Sequence, residues 1–584
     1  MKSWLKKNID WPALSLAQDL IDAMWLEDLF GIRQHCTIVK QDKMYWLAIR
    51  LNEEAELYWQ GVPQVGLLPF RLQSLPVCLR NSHGQQLLSL IDAVAALQQA
   101  EWWSNRSYRF KHLFTLSLKQ AQLMFAQEAD ILAGLRQPDL IRWEVICGLK
   151  DRPFHPLARA KEWSDDNKSV TNSADEFIPF HWIAVPRHRL LGTACNGQLL
   201  AEALLNEDEF SQLRLAVQRL RLEREDHLWF PVHPWQWRWL NTEPQRRLRP
   251  WLDDCIDLEQ QLGGGIPTSS LRTLAIAGKR DFHIKFSLAV NALGALRIMP
   301  PRYLHNGALA EDLLQQLRHL DAALAGSLWL CNEQLWWAVT SHSDIVQERG
   351  ELACLLRHYP DIDEAELVPM AACSVLTSHG RLPAFEYLLR GKKTVEAAKT
   401  LFREITDVLV ALGLRCFAYG VMPELHGQNV LLVWSNGKIK GLLLRDHDTL
   451  RICPTILSER GLVLPEYKID WTTPNTLVLD EPKDLLAYFQ TLAIEVNLYS
   501  IAVAMVSHFA IEEAWCWQTI QLTLIKWLER LELSPSIERL AHQLLLQSEY
   551  WPFKQVLAPL LTRDHLGTGM PSAFGEILNP VKDC

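Results

Sequence analysis

Asn436-Gly437 sits between two apolar runs, in NVLLVWSNGKIKGLLL, residues 429–444. Both residues tolerate positive φ, which a two-residue type I′ turn demands, so the segment predicts a tight β-hairpin. Such a turn fixes antiparallel pairing. Centring the ladder on it sets Trp434 opposite Ile439, Leu432 opposite Gly441 and Asn429 opposite Leu444. Side chains alternate along each strand, so Asp446 falls on the face of Asn429, one diagonal away. Two oxygens at that separation suit a hard cation such as Mg²⁺, which also keeps water and phosphate oxygens. Gln428 adjoins this metal position. His426 and Arg445 add hydrogen-bonding and positive groups around it.

The segment GGGIPTSSLRTLAIAGKRDFHIKFSLAVNALGALR, Gly263 to Arg297, carries complementary chemistry. Its triple glycine predicts a loop that approaches a ligand closely. Ser269, Ser270 and neighbouring threonines supply hydroxyls, and Arg272 supplies a fork. Two strands then flank a turn at Lys279-Arg280. Symmetric pairing about that turn sets Leu274 opposite Lys285 and makes Arg272 and Lys285 diagonal neighbours, within ~8 Å. Two cations and several hydroxyls on one face suit a polyphosphate. Arg297, twelve residues beyond Lys285, would lie roughly 40 Å away along a straight strand. It joins the site only if the chain bends between Asn291 and Gly294. A third stretch, GLKDRPFHPLARAK (148–161), sets Arg152, His155, Arg159 and Lys161 around two prolines that stiffen the loop. His233, in PVHPWQW, reads first as a packed histidine.

The chain of 584 residues is long enough for two to four domains. Its net charge of −9 disfavours a general nucleic-acid or anionic-membrane binder, so an anionic ligand needs a local basic pocket. The most apolar run, Leu485 to Ile511, contains Glu495, Asn497 and His508 and reads as a buried core helix rather than a membrane span. Twelve scattered cysteines without metal spacing read as reduced, mostly buried thiols of a cytoplasmic protein. The N-terminus lacks an apolar run of signal-peptide length.

Periodicity predicts a mixed but mainly helical first ~150 residues, with an early hairpin in HCTIVKQDKMYWLAIRLN. Ser164 to Glu176 reads as an exposed loop, and Phe177 to Pro301 as strand-rich. Helices return after Ala310. One of them runs from an N-cap at Thr394 to a stop at Gly413. The fold class is α+β.

Neither a Walker A motif nor a Rossmann fingerprint is present. A polyphosphate cradle beside a metal position instead suggests ATP chemistry on a carboxylate or other anionic substrate. HPLARAK, VHPWQW, TSSLRT, HIKFSLAVNALGALRI and HGQNVLL…RDHD together resemble the NRPS-independent siderophore synthetases, the IucA/IucC family. The resemblance runs from about Gly148 to the C-terminus. It implies a cupped hand with a mainly helical thumb (1–145), strand-rich ATP-binding fingers (146–365) and a palm bearing the metal and substrate site with C-terminal helices (366–584). It implies a cytoplasmic ligase, commonly a homodimer, that uses ATP and Mg²⁺. Such an enzyme adenylates citrate or a related acid, releases pyrophosphate and passes the acyl group to an amine or hydroxyl. Nucleic acid and membrane have no part in it.

Residue by residue, the resemblance assigns Ser269, Ser270, Arg272, Thr273, Lys285 and His155 to ATP. Arg297 and His426 go to the reacting carboxylate and α-phosphate, Leu293 and Arg445 to the substrate, and Gln428, Asn429 and Asp446 to the metal. Arg297, His426 and Lys285 are the catalytic set. Arg152 replaces the first histidine of the family's H-P-x-H-P loop, and Leu293 replaces a threonine of many citrate users. Two other readings remain. A kinase-like phosphotransferase would place an aspartate base between His426 and Asn429, where only Gly427 and Gln428 stand. A non-catalytic siderophore or nucleotide binder is the other.

Overall fold

The computed structural model describes residues 10–104, 108–136, 138–163, 176–193, 197–222, 226–341, 344–392, 394–562, 569 and 571–582. The loop expected at Ser164 to Glu176 lies outside these, apart from Glu176 itself.

Helix and strand are mixed, and the strands gather into separate, largely antiparallel sheets. The N-terminal part holds more strand than its periodicity predicted. The expected early hairpin, Cys36–Gln41 with Met44–Arg50, extends through Glu56–Pro63, Val77–Asn81 and Gly84–Leu88, with Phe70–Leu72 on Glu56–Pro63. One face of this sheet packs on the helices Trp11–Leu26 and Leu90–Leu97, in a core that includes Leu16, Leu20, Trp59 and Phe70.

Eight antiparallel strands form the central sheet, in the spatial order His227–Val232, Ile178–Pro186, Ile256–Pro267, Thr273–Ile276, Phe282–Phe286, Ala353–His358, Asn332–Val339 and Leu190–Gly192. Its triple glycine lies inside the strand Ile256–Pro267, where the register slips twice. A Cβ at Gly264 (φ 157°) would sit 2.4 Å from the Phe177 ring, and one at Gly265 would sit 2.5 Å from the Ala275 carbonyl. These glycines therefore serve close packing within the sheet, not approach to a ligand.

The Asn436-Gly437 hairpin forms as Val430–Ser435 and Lys438–Leu444, with φ of 53° and 79° at the turn. Glu366–Pro369 adds on one side, and Leu328–Leu330 adds in parallel on the other. The helix capped by Thr394 passes Gly413 and ends at Ala418. Gly413 does not stop it. A Cβ there would lie 2.2 Å from the Phe489 ring, so the position serves close helix packing. That ring belongs to the helical stretch Pro482–Phe509, the one described helix long and apolar enough to cross a membrane, with mean hydropathy 1.5. Of its most apolar 18-residue window, 67% is buried inside the protein, as a core helix requires. All ten described cysteines are free thiols, nine of them buried.

Candidate active site

One cavity lies between the central sheet and the open end of the hairpin. Ten of the thirteen residues to which the resemblance assigns a role line it: Ser269, Ser270, Arg272, Lys285, Leu293, Arg297, His426, Gln428, Asn429 and Asp446; Lys161 of the 148–161 stretch does too. Among the described residues, the wall carries eight Lys or Arg side chains and five carboxylates. A net acidic protein thus presents a locally basic pocket.

The bend needed to bring Arg297 in is present. Val290–Ala292 and Ala295–Leu296 pair through a two-residue turn at Leu293-Gly294, with φ of 55° and 71°. Arg272 fixes the returning strand. Its guanidinium donates to the carbonyl oxygens of Arg297 (3.1 Å) and Ile298 (2.7 Å). Burial and the neighbouring Arg272 charge push the Arg297 guanidinium down to about 10, which leaves it cationic at neutral pH.

The registers differ from symmetric pairing by one residue. Lys285 stands opposite Thr273, not Leu274, because the connection is longer than the Lys279-Arg280 turn. Thr273 lies behind the wall, buried, with its hydroxyl on the Ser270 hydroxyl at 3.3 Å. In the hairpin, Trp434 faces Ile439 as expected, but a bulge between Val433 and Trp434 shifts the rest. Val430 then faces Leu444, and the Arg445 N–H donates to the Asn429 carbonyl at 3.2 Å. Asp446 reaches the cavity by another route. It adopts a left-handed backbone (φ 58°, ψ 68°) that ends the strand.

Two buried charge systems hold these groups. Asp446 accepts from Lys285 and ion-pairs Arg357 at 2.7 Å, while Arg357 also binds Glu333. Glu333 accepts the backbone N–H groups of Asp446 (3.1 Å) and His447 (3.3 Å). Despite burial, Arg357 and Lys285 hold the Asp446 carboxyl well below the usual range. Glu144, fully buried on the helix Leu140–Cys147, accepts from the Ser269 hydroxyl at 2.5 Å and pairs Arg445 at 2.6 Å. Arg445 also donates to the Gln428 carbonyl and to Tyr359, so it braces the wall rather than facing the cavity. His155 is also off the wall. Its Nδ1 accepts the Leu157 N–H, and burial with the Arg152 charge pushes it down to about 3.

Glu424, Asp448, Arg451 and Lys554 line the cavity too, and sequence reading assigned them no role. Glu424 stands two residues before HGQN and Asp448 is the last residue of RDHD, so their place in the sequence was the available signal. Glu424 accepts from the Asn429 amide (3.2 Å) and the Thr449 hydroxyl (3.1 Å). Burial pushes the Asp448 carboxyl up, with the Asp446 and Glu424 charges adding to it. Glu424, Asp446 and Asp448 line this cavity with the Gln428 and Asn429 side chains, oxygen donors of the kind a hard cation such as Mg²⁺ takes, although among the described residues no three His, Cys, Asp or Glu side chains gather as a metal cluster. A segment around 468–477 closes one side, pinned where the Lys468 N–H and carbonyl both bond Asn306, at 2.7 and 3.1 Å.

A model of the IucA / IucC family matches residues 139–375, and one described as a ferric iron reductase FhuF-like transporter matches residues 399–568. Staphyloferrin B synthase of Staphylococcus aureus is 31% identical over 591 residues, covering 97% of each chain. The fold matches that of ATP-bound aerobactin synthetase IucA from a hypervirulent pathotype of Klebsiella pneumoniae, with TM-score 0.77 and 18% identity, over 98% of this chain and 100% of that one. It also matches the petrobactin biosynthesis protein AsbB from Bacillus anthracis, with TM-score 0.79 and 16% identity, over 98% and 95%.

Proposed function

Because the chain belongs to the IucA/IucC family of NRPS-independent siderophore synthetases, we propose that it uses ATP to adenylate a carboxylate of citrate or a related acid and then forms an amide or ester with an amine or hydroxyl. The observation that carries this reading is the convergence of Lys285 and Arg297, from the central sheet, on the carboxylates Glu424, Asp446 and Asp448 beside the hairpin. Phosphate-binding cations and metal-binding oxygens then share one cavity.

In this reading Ser269, Ser270, Arg272 and Lys285 meet the ATP phosphates. The acid's carboxylate attacks the α-phosphorus and pyrophosphate leaves. Like-charge repulsion opposes that approach, and Arg297 neutralises it where charge builds up. Asp446, Asn429 and Gln428 would hold Mg²⁺, with Glu424 and Asp448 beside it; when bound, it supplies positive charge at the phosphate oxygens. His426 accepts the Gln428 N–H on Nδ1 at 3.2 Å, so its Nε2 carries the proton and serves as a donor. No enzyme nucleophile is required. The three-part division at 145/146 and 365/366 belongs to the proposal, supported by a cavity whose described walls come only from the second and third parts. So do the cytoplasmic homodimer and the absence of nucleic-acid or membrane partners.

Product analysis tests the reaction type. AMP and pyrophosphate are expected in equal amounts when acids and amines are screened with ATP and Mg²⁺. ADP would establish the kinase reading, and no turnover across the screen would favour a binder.

Leu293 lines the cavity at φ 55°, a conformation that β-branched threonine resists but asparagine accepts. Leu293→Asn therefore supplies the missing polar contact without the strain of Leu293→Thr. It should raise citrate kcat/KM about tenfold if it adds one hydrogen bond to a charged group. An unchanged acid preference would remove Leu293 from the acid's contacts.

A further inference from the structure

Condensation needs a neutral amine and releases a proton; Glu424 and Asp448 stand beside the proposed metal position, and the other titratable groups discussed so far are not free to accept it. The His426 Nε2 is a donor facing Glu424 at 3.6 Å. Asp446 is tied to two cations, and His155 is off the wall.

Lys554 lies on the strand Tyr550–Gln555, opposite Phe574, and lines the cavity. Its ammonium is 5.8 Å from the centroid of the Tyr488 ring, and the Arg451 guanidinium lies 3.7 Å from the same centroid. The Tyr488 ring is itself braced edge-on by Phe574, with centroids 5.5 Å apart. Among the described residues Lys554 has no hydrogen-bond or ion-pair partner. The charges acting on it are Arg451 and Arg152, which repel, and Glu424, which attracts. Lys554 and Arg297 line the same cavity, and both feel the charges of Arg152 and Glu424.

Building on the adenylating function, we propose that Lys554 is the general base of the second half-reaction, taking the proton from the attacking amine. The amine nitrogen bonds to the acyl carbon, and the bond from that carbon to the adenylate oxygen breaks. AMP leaves with the electron pair, and the ammonium proton passes to the Lys554 amine. Burial and the two arginines push Lys554 down to about 7, so a large share is neutral at physiological pH. A buried lysine with its charge opposed in this way is suited to base catalysis.

Hydroxylamine separates the two half-reactions because it is already neutral near pH 7 and captures an acyl adenylate without a base. Wild type, Lys554→Met and Lys554→Arg are compared with ATP, citrate and other di- and tricarboxylates, using either hydroxylamine or 1,2-diaminoethane. Both variants should form hydroxamate within about threefold of wild type. Both should lose about 10²-fold or more in amide formation with the diamine, the usual scale of general-base catalysis. Divided by the free-amine fraction of the diamine at each pH, wild-type amide formation should still rise with pH through about 7, and the variants so corrected should lack that limb. Restored amide formation in Lys554→Arg, which keeps the charge but cannot accept the proton, would overturn the proposal. So would a parallel fall in hydroxamate, which would mark a binding role, or no change in either product. Wild type that forms neither hydroxamate nor AMP would instead overturn the adenylating function beneath it.

Discussion

Arg297→Ala is expected to slow pyrophosphate release about 10²- to 10³-fold, the scale of removing one preorganised charge from a developing transition state. The size follows from how the residue is held. The Leu293-Gly294 turn returns the chain, and Arg272 donates to the carbonyls of Arg297 and Ile298. Arg272 therefore positions the backbone while the Arg297 guanidinium faces the cavity. Burial beside Arg272 opposes its charge, so an incoming carboxylate or phosphate relieves an existing electrostatic cost. The loss should fall mainly on kcat, because the opposing charges come together only as the carboxylate approaches phosphorus. Arg297→Lys should recover only part of the rate, since an ammonium lacks the planar fork. A wild-type rate in Arg297→Ala would remove the residue from the reacting centre.

What sequence made legible was local. Asn436-Gly437 dictated its own turn, and the need for a bend before Arg297 followed from strand length alone. The bulge at Val433 was not legible, because its setting is tertiary. A Cβ at Gly441 would lie 2.0 Å from the Ser327 carbonyl, where the parallel strand Leu328–Leu330 joins the sheet. The role of Gly413 was misread for a similar reason, since its partner Phe489 is 76 residues away in the chain. Among charged groups, most of those inside compact motifs were found, though Asp448, the last residue of RDHD, was passed over. Glu144, Arg357 and Lys554 were not found, because each reaches the site from a distant element and carries no local pattern. The left-handed turn at Asp446 was equally silent, yet it carries the carboxylate into the cavity when the strand's alternation is lost.

That turn shapes the second large effect. Asp446→Asn keeps a residue that tolerates the left-handed backbone, so it removes charge with little change of shape. Lys285 and Arg357 would then lose their shared counter-charge, and leaving buried cations underpaired costs ~3 kcal/mol. Glu333 still holds Arg357 and the N–H groups of Asp446 and His447, so the local backbone should persist. Adenylation should fall about 10²- to 10³-fold and require more Mg²⁺. An unaltered Mg²⁺ titration would sink the metal assignment. The stability loss has its own pH signature. The folded carboxyl lies well below its unfolded value near 3.9, so its stabilisation is complete above that pH and lost as pH falls toward the folded value. Urea melts of wild type and Asp446→Asn should therefore differ by a constant amount from pH 7 to 5. The gap should then close by ~1.4 kcal/mol per pH unit below about 4. A gap equally wide at pH 3 and pH 7 would mean that the charge of Asp446 does not stabilise the fold.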